Sequence, residues 1–348
     1  MTDIIGEGGF GCIFYPGFNC RNKTKTTTKL VSKLQLNHFN ARNEIYIGNI
    51  IKTIPNYSLY FLPVISSCSI SLGSLSKEAI DKCDIINTST DKYVILQLPY
   101  LKNISYANLF ADTKRSARHL FLTFIETYNY ISISITSLLD KNIVHFDIKE
   151  DNILYSTKYE NPILIDFGLS IPIDVLDSSN LKNYFYVYAP DYYLWPIEVH
   201  AINHLLYRGT LTNETIRDMV NTYVDNNSGL KVFSQNFKDN YKEACITFLS
   251  ELINLDAMSA IKVLLKYYTT WDLYALSIMY LKFLKQLFTN GFFDNSFIIA
   301  FSKLLIQNIS PNPNDRYDTK KTQVIYSHIF YINEKPSSYL TLIQELST

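Results

Sequence analysis

The sequence has no surplus of either charge. Lys plus Arg number 32 and Asp plus Glu number 32, so no net field draws the chain to nucleic acid or to an anionic membrane surface. It also lacks a long apolar run. The richest stretch, Leu273 to Phe288, carries Lys282 and Lys285 and is too short to cross a bilayer comfortably, so it reads as a buried helix. Cysteine is scarce: Cys12, Cys20, Cys68, Cys83 and Cys245 are odd in number and contain no C-x-x-C pair. That pattern predicts reduced thiols and an intracellular, cytoplasmic setting. Met1 is followed almost at once by Gly6, which leaves no room for a signal peptide ahead of the first motif. There is no internal repeat. What remains is globular material: 47% hydrophobic and 18% charged residues exclude a disordered chain, and 348 residues can bury a substantial core.

Against that background one stretch concentrates chemistry. Ile143-Val144-His145-Phe146-Asp147-Ile148-Lys149-Glu150-Asp151-Asn152 is followed by Leu164-Ile165-Asp166-Phe167-Gly168. An acid, a lysine, an amide and a second acid lie in order between short apolar runs that read as strands. Phosphoryl transfer needs such a set: an acid to orient a hydroxyl, a cation for the transferring charge, and hard oxygens for a divalent metal.

Upstream, Ile4-Ile5-Gly6-Glu7-Gly8-Gly9-Phe10-Gly11-Cys12-Ile13-Phe14-Tyr15 reads as strand, glycine turn, strand. G-x-G-x-x-G alone is weak. A dinucleotide-binding unit needs a helix straight after the last glycine, whereas Cys12 to Tyr15 is strand-like and Pro16-Gly17 ends it. The alternatives are a plain hairpin turn and a hairpin flap whose backbone N–H groups approach phosphates. Phe18 to Thr28 reads as an exposed polar loop. Lys29-Leu30-Val31-Ser32-Lys33-Leu34 is a strand, and Glu44, eleven positions past Lys33, lies on a helix that Pro55 stops. Phe61 to Ile70 and Tyr93 to Leu98 read as further strands, with Ser66 to Asp91 a Ser-rich loop containing a short helical piece. Ala117 to Leu139 has helical apolar spacing. Ser170 to Val187 reads as a flexible polar connection.

The order H-x-D-x-K-x-x-N, then D-F-G, behind a glycine flap, a strand lysine and a helix glutamate, resembles the eukaryotic-type serine/threonine protein kinases. Within them the closest likeness is to kinases of nucleocytoplasmic large DNA viruses, in the Asn/Ile/Lys/Tyr-rich composition, the Pro-containing hinge and Trp195-Pro196-Ile197-Glu198 before a long insertion. The resemblance covers residues 6 to 316. It implies an α+β, bilobed fold: a small antiparallel β-sheet lobe with one main helix over 1–98, a hinge at 99–101, and a larger, mostly helical lobe over 102–348.

The resemblance also assigns roles. Asp147 and Lys149 would be catalytic, the first orienting a Ser or Thr hydroxyl and the second reaching the transferring phosphoryl group. ATP would lie against Gly6, Gly8, Gly9, Gly11 and Ile13, with Lys33 on its phosphates, Glu44 aiming Lys33, and Pro99 and Leu101 at the adenine. Asn152 and Asp166 would hold Mg2+ or Mn2+. His145 and Phe167 read as packed residues. Asp272 in Trp271-Asp272-Leu273 would brace the backbone of the 143–152 loop, and Arg316 would pair with Glu198, or with its competitor Asp191. About seventy residues separate Glu198 from Trp271, which predicts a mostly helical insertion over about 200–266. Phe146 stands where regulated kinases carry arginine, so activity is expected not to depend on phosphorylation of the 170–187 segment. Substrates would be proteins with Ser or Thr, with no nucleic acid and no membrane span; in a viral setting the place would be host cytoplasm or the virion. Two alternatives stay open: a pseudokinase scaffold, and a small-molecule phosphotransferase of the same fold.

Overall fold

The computed structural model describes residues 3–8, 11–18, 20, 26–71, 83, 92–111, 117–288 and 296–331. Its α+β chain forms two compact units. One is drawn from the chain up to Ser105 together with Asn152–Ser170; the other holds Tyr106–Asp151 and the chain from Ile171 onward.

The first unit is built on an antiparallel sheet of five strands: β1 (Asp3–Gly8), β2 (Gly11–Tyr15), β5 (Leu30–Leu36), β7 (Tyr93–Pro99) and β6 (Ser66–Ile70), in that spatial order. Between β2 and β5 a small ladder pairs β3 (Gly17–Phe18) with β4 (Thr26–Thr27), where a plain loop was expected. The two-residue period of the strands sorts their side chains to opposite faces. Cys12, Phe14, Leu34, Tyr93 and Ile95 form one apolar face. Val94, Leu96 and Leu98 form the other and are covered by Ala41 of α1 (Phe39–Ile51) and by Val64. Helix α1 turns Ala41, Asn43, Glu44, Ile47, Gly48 and Ile51 inward, a 3.6-residue stripe. Gly48 lets α1 approach closely, since a Cβ there would stand a tight 3.2 Å from the Val64 backbone N. A second sheet of three strands, in the order β11 (Asn161–Leu164), β10 (Ile153–Ser156), β8 (Asn103–Ser105), completes this unit.

Two expectations fail here. The strand expected over Phe61 to Ile70 begins only at Ser66. Pro63 has no N–H to give a ladder, and the chain before it bonds elsewhere: Leu62 N to Leu164 O at 3.1 Å, and Leu164 N to Tyr60 O at 2.9 Å. The region assigned to a Ser-rich loop therefore opens as β6, and most of 72–91 lies outside the described residues. The reduced-thiol reading is also overturned. Cys12 is bonded to Cys83 and Cys20 to Cys68, leaving Cys245 as the free, buried thiol. Sequence spacing hid these pairs because sheet pairing, not chain proximity, brings them together.

The second unit is mostly helical. In it are α2 (Tyr106–Ala111), α3 (Ala117–Leu139), α4 (Leu181–Tyr184), α5 (Ile197–Tyr207), α6 (Asn213–Asn226), α7 (Gln235–Ser250), α8 (Ala257–Leu265), α9 (Trp271–Phe288), α10 (Ser296–Asn308) and α11 (Thr319–Phe330). Its core is the α3 stripe Phe124, Tyr128, Ile131, Ile135 and Leu138 set against α9 and α11, with Tyr128 and Tyr280 ring centroids 5.0 Å apart. The long stretch between α5 and α9 is helical as expected. Its three helices start on side-chain caps, from Thr212, Ser234 and Asp256. All three touch α5, which runs unbroken through His200. The Ser170 to Val187 connection is more regular than its composition suggested. It opens with β12 (Ile171–Pro172), paired to β9 (Ile143–Val144), and buries Leu181, Tyr184 and Phe185.

Candidate active site

In the first unit the site begins at the middle strand. Lys33 on β5 pairs across to Ile13 on β2 and to Leu96 on β7. Its alternation puts it on the face that α1 covers, so its ammonium is buried and must find anions. It finds two: Glu44 Oε2 at 2.9 Å and Asp166 Oδ1 at 2.8 Å. Burial opposes the charge on Lys33, but the two carboxylates outweigh it and hold its pKa above the ordinary lysine value. Burial also holds the Glu44 carboxyl above its ordinary value, against the pull of Lys33. The Asp166 side chain is 35% exposed, so this carboxylate faces outward as well as toward Lys33.

Backbone strain marks Asp166. Its φ is 62°, a left-handed value uncommon outside glycine and asparagine. Its surroundings hold it there. Phe167 is buried and meets Phe61 edge-on at 6.0 Å, Ile165 N donates to Asn152 O at 3.0 Å, and Asn43 clamps the following turn. Asn43 Nδ2 donates to Gly168 O at 3.1 Å and to Ser170 O at 2.7 Å. Sequence reasoning missed Asn43. Its place beside Glu44, on the buried stripe of α1, was the available signal.

The other residues expected around the nucleotide also belong to this unit. Gly6 and Gly8 are on β1, Gly11 and Ile13 on β2, and Gly9 lies outside the described residues. Gly11 has no alternative, because a Cβ would stand 2.6 Å from Leu34 O. Pro99 ends β7, pairing with Leu30, and Tyr100 N bonds Lys29 O at 2.9 Å before Leu101. Asn152 closes a short 3-10 turn and is buried.

The second unit holds Asp147 and Lys149. Their loop is fixed from below by Asp272, whose Oδ2 and Oδ1 accept from His145 N at 2.6 Å and Phe146 N at 2.8 Å. Burial raises the Asp272 carboxyl above the usual range, and the two backbone donors oppose that rise. Phe146 is itself strained, at φ 67°. It stacks on Trp195 at 4.9 Å, meets Phe185 edge-on at 5.5 Å and lies 5.9 Å from Trp271. Trp195 Nε1–H donates to Phe146 O at 2.9 Å. A left-handed aromatic residue is thus held by packing on several sides, and it delivers Asp147 in a set direction.

Asp147 is 7% exposed. Lys149 Nζ lies 2.7 Å from its Oδ2, and the Tyr192 hydroxyl donates to its Oδ1 at 3.1 Å. Tyr192 was not foreseen, since nothing in Asp191-Tyr192-Tyr193 marks it. Chemically, the Lys33–Glu44–Asp166 group offers a fixed cation beside a partly exposed carboxylate, and the Asp147–Lys149 pair offers a proton acceptor with a cation attached. No protein-family model matches the chain, and no curated protein matches it.

Proposed function

We propose that this chain is a serine/threonine protein kinase. The observation that carries the reading is the buried Lys33 ammonium on both Glu44 and Asp166, 11 and 133 positions away along the chain. A lysine serving stability alone gains little from a second, solvent-facing acid. A lysine meant for phosphate oxygens, beside an acid meant for a metal, needs that arrangement.

Lys33 binds phosphate oxygens of ATP, held in aim by Glu44. Asp166 and Asn152 supply the hard oxygen donors that suit Mg2+ or Mn2+, one a partly exposed carboxylate and the other an amide. When bound, the metal neutralises charge on the phosphates. Asp147 orients the Ser or Thr hydroxyl and accepts its proton as the new P–O bond forms and the bond to ADP breaks. Lys149 offsets charge on the transferring group.

The packing of Phe146 supports independence from phosphorylation. Where an arginine would await a phosphate, Phe146, Phe185, Trp195 and Trp271 form an apolar contact that needs none. The test is transfer of label from γ-labelled ATP with Mg2+ to a basic Ser/Thr-containing protein. Lys33→Met and Asp166→Ala are expected to abolish it. Absence of transfer together with absence of an ATP-dependent thermal shift would sink the reading.

A further inference from the structure

The Asp147 carboxylate already has an occupant. Lys149 holds Oδ2, and the Tyr192 hydroxyl donates to Oδ1 at 3.1 Å. Packing sets the direction of the phenol. Its ring meets Trp195 edge-on, centroids 4.9 Å apart at 72°, and Trp195 stacks on Phe146, the neighbour of Asp147. Its backbone is tied as well, with Tyr192 N bonded to Ala189 O at 3.0 Å and Tyr192 O accepting from Trp195 N at 3.3 Å. Burial, and then the charge of Asp147, raise the Tyr192 hydroxyl above its ordinary value, so it stays protonated and acts as a donor.

A phosphoacceptor hydroxyl has the same requirement: it must donate to Asp147 before its oxygen attacks. Lys149 is needed where it is, whereas a neutral phenol can leave and be hydrated. We infer that Tyr192 is a gate on the acceptor site, its hydroxyl standing where a substrate Ser or Thr hydroxyl must bind, so that substrate enters by displacing it. The inference rests on the kinase reading and adds to it control of acceptor entry. Only the fraction of molecules with the phenol turned away binds acceptor, so the gate raises KM for the protein substrate by the inverse of that fraction and leaves kcat alone. A residue that merely steadied Asp147 would act on kcat instead.

Tyr192→Phe keeps the ring on Trp195 and removes the hydroxyl. Tyr192→Leu removes both. Steady-state kinetics on a basic Ser/Thr-containing protein, with ATP varied separately and thermal unfolding as the check on folding, separate the outcomes. The expected result for Y192F is a KM for protein lowered about tenfold, as for loss of one hydrogen bond to a charged acceptor, with kcat and the KM for ATP within about twofold of wild type. Y192L must move the KM in the same direction. A near-silent wild type beside an active Y192F supports the gate more strongly still. An active wild type with Y192F unchanged in KM, or lowered in kcat, overturns the gate and leaves the kinase reading standing. No transfer by wild type or by either variant overturns both.

Discussion

Arg316 grips Glu198 from 118 positions further along the chain, and both side chains are 0% exposed. The pair is two-pronged, NH1 to Oε1 and NH2 to Oε2, the latter at 3.0 Å. The rest of the guanidinium is engaged too: Nε donates to Ser310 O at 2.8 Å, NH1 reaches Thr270 Oγ1 at 3.3 Å, and the Tyr274 ring lies 5.1 Å away. Asp191, the competitor for this arginine, is exposed. The pair ties α5, which all three helices between α5 and α9 touch, to the turn before α11.

Breaking that pair from one side leaves a buried charge without a partner. Arg316→Met and Glu198→Gln are each expected to cost about 3–5 kcal/mol in urea unfolding. The double variant R316M/E198L is expected to cost well under the sum, because no lone charge remains. A single variant within about 1 kcal/mol of wild type would show that the pair is not the clamp described.

His200 should give the protein an acid-side stability slope. It is fully buried between the Trp195 and Tyr223 rings, and its Nε2 lies 3.2 Å from Trp195 O. Burial pushes its pKa from 6.5 down to about 4. Between those values the unfolded chain binds a proton that the folded chain refuses, so stability rises with pH there and falls as the pH drops. The loss on going from pH 7 to 4 reaches about 3 kcal/mol. Denaturant unfolding against pH reads the slope, and His200→Gln should flatten it even where it lowers stability at neutral pH.

Phosphorylation of the 170–187 segment should not control turnover. Ser170 and Tyr184 are buried and unsuited to modification without unfolding, while Ser178 and Ser179 are exposed. The combined variant S170A/S178A/S179A/Y184F is expected to keep kcat within about twofold; a loss of about tenfold would restore a phosphate switch.

Reduction should weaken the first unit. The two disulfides span 71 and 48 residues, and closing loops of that size in the unfolded chain is worth about 4 kcal/mol each in the chain-entropy account. Dithiothreitol is expected to lower the melting temperature in steps, with partly buried Cys20–Cys68 yielding before Cys12–Cys83, whose sulfurs are on residues 0% and 3% exposed. The variant C12S/C20S should melt at one temperature with or without reductant. A wild type indifferent to dithiothreitol would mean that the thiols are unpaired.

Much of this architecture was legible from local pattern. Lys29 to Leu34 read as a strand and Glu44 as a helix residue one turn from Ile47 and Gly48; that the two side chains of Lys33 and Glu44 would pair was implied by the kinase resemblance, and in the structure they meet at 2.9 Å. The place of Asp272 under the 143–152 loop was implied by the resemblance, and its carboxylate oxygens accept from the His145 and Phe146 N–H groups at 2.6 and 2.8 Å. Less legible was the 170–187 segment, whose polar surface residues outnumber its anchors. Its order comes from the buried Leu181, Tyr184 and Phe185, the last meeting Trp271 far away in the chain.

The sequence by itself determined which residues are candidates for chemistry, in which order they lie, and on which kind of element. Periodicity and turn chemistry are short-range, and a chain reports them directly. Only the tertiary structure decided what each polar group touches: Asn43 on the Gly168 and Ser170 carbonyls, Cys12 on Cys83, and above all Tyr192 on Asp147. Those contacts join residues 125, 127, 71 and 45 positions apart. They depend on how sheets register and how aromatic rings stack, and no local pattern encodes a packing distance.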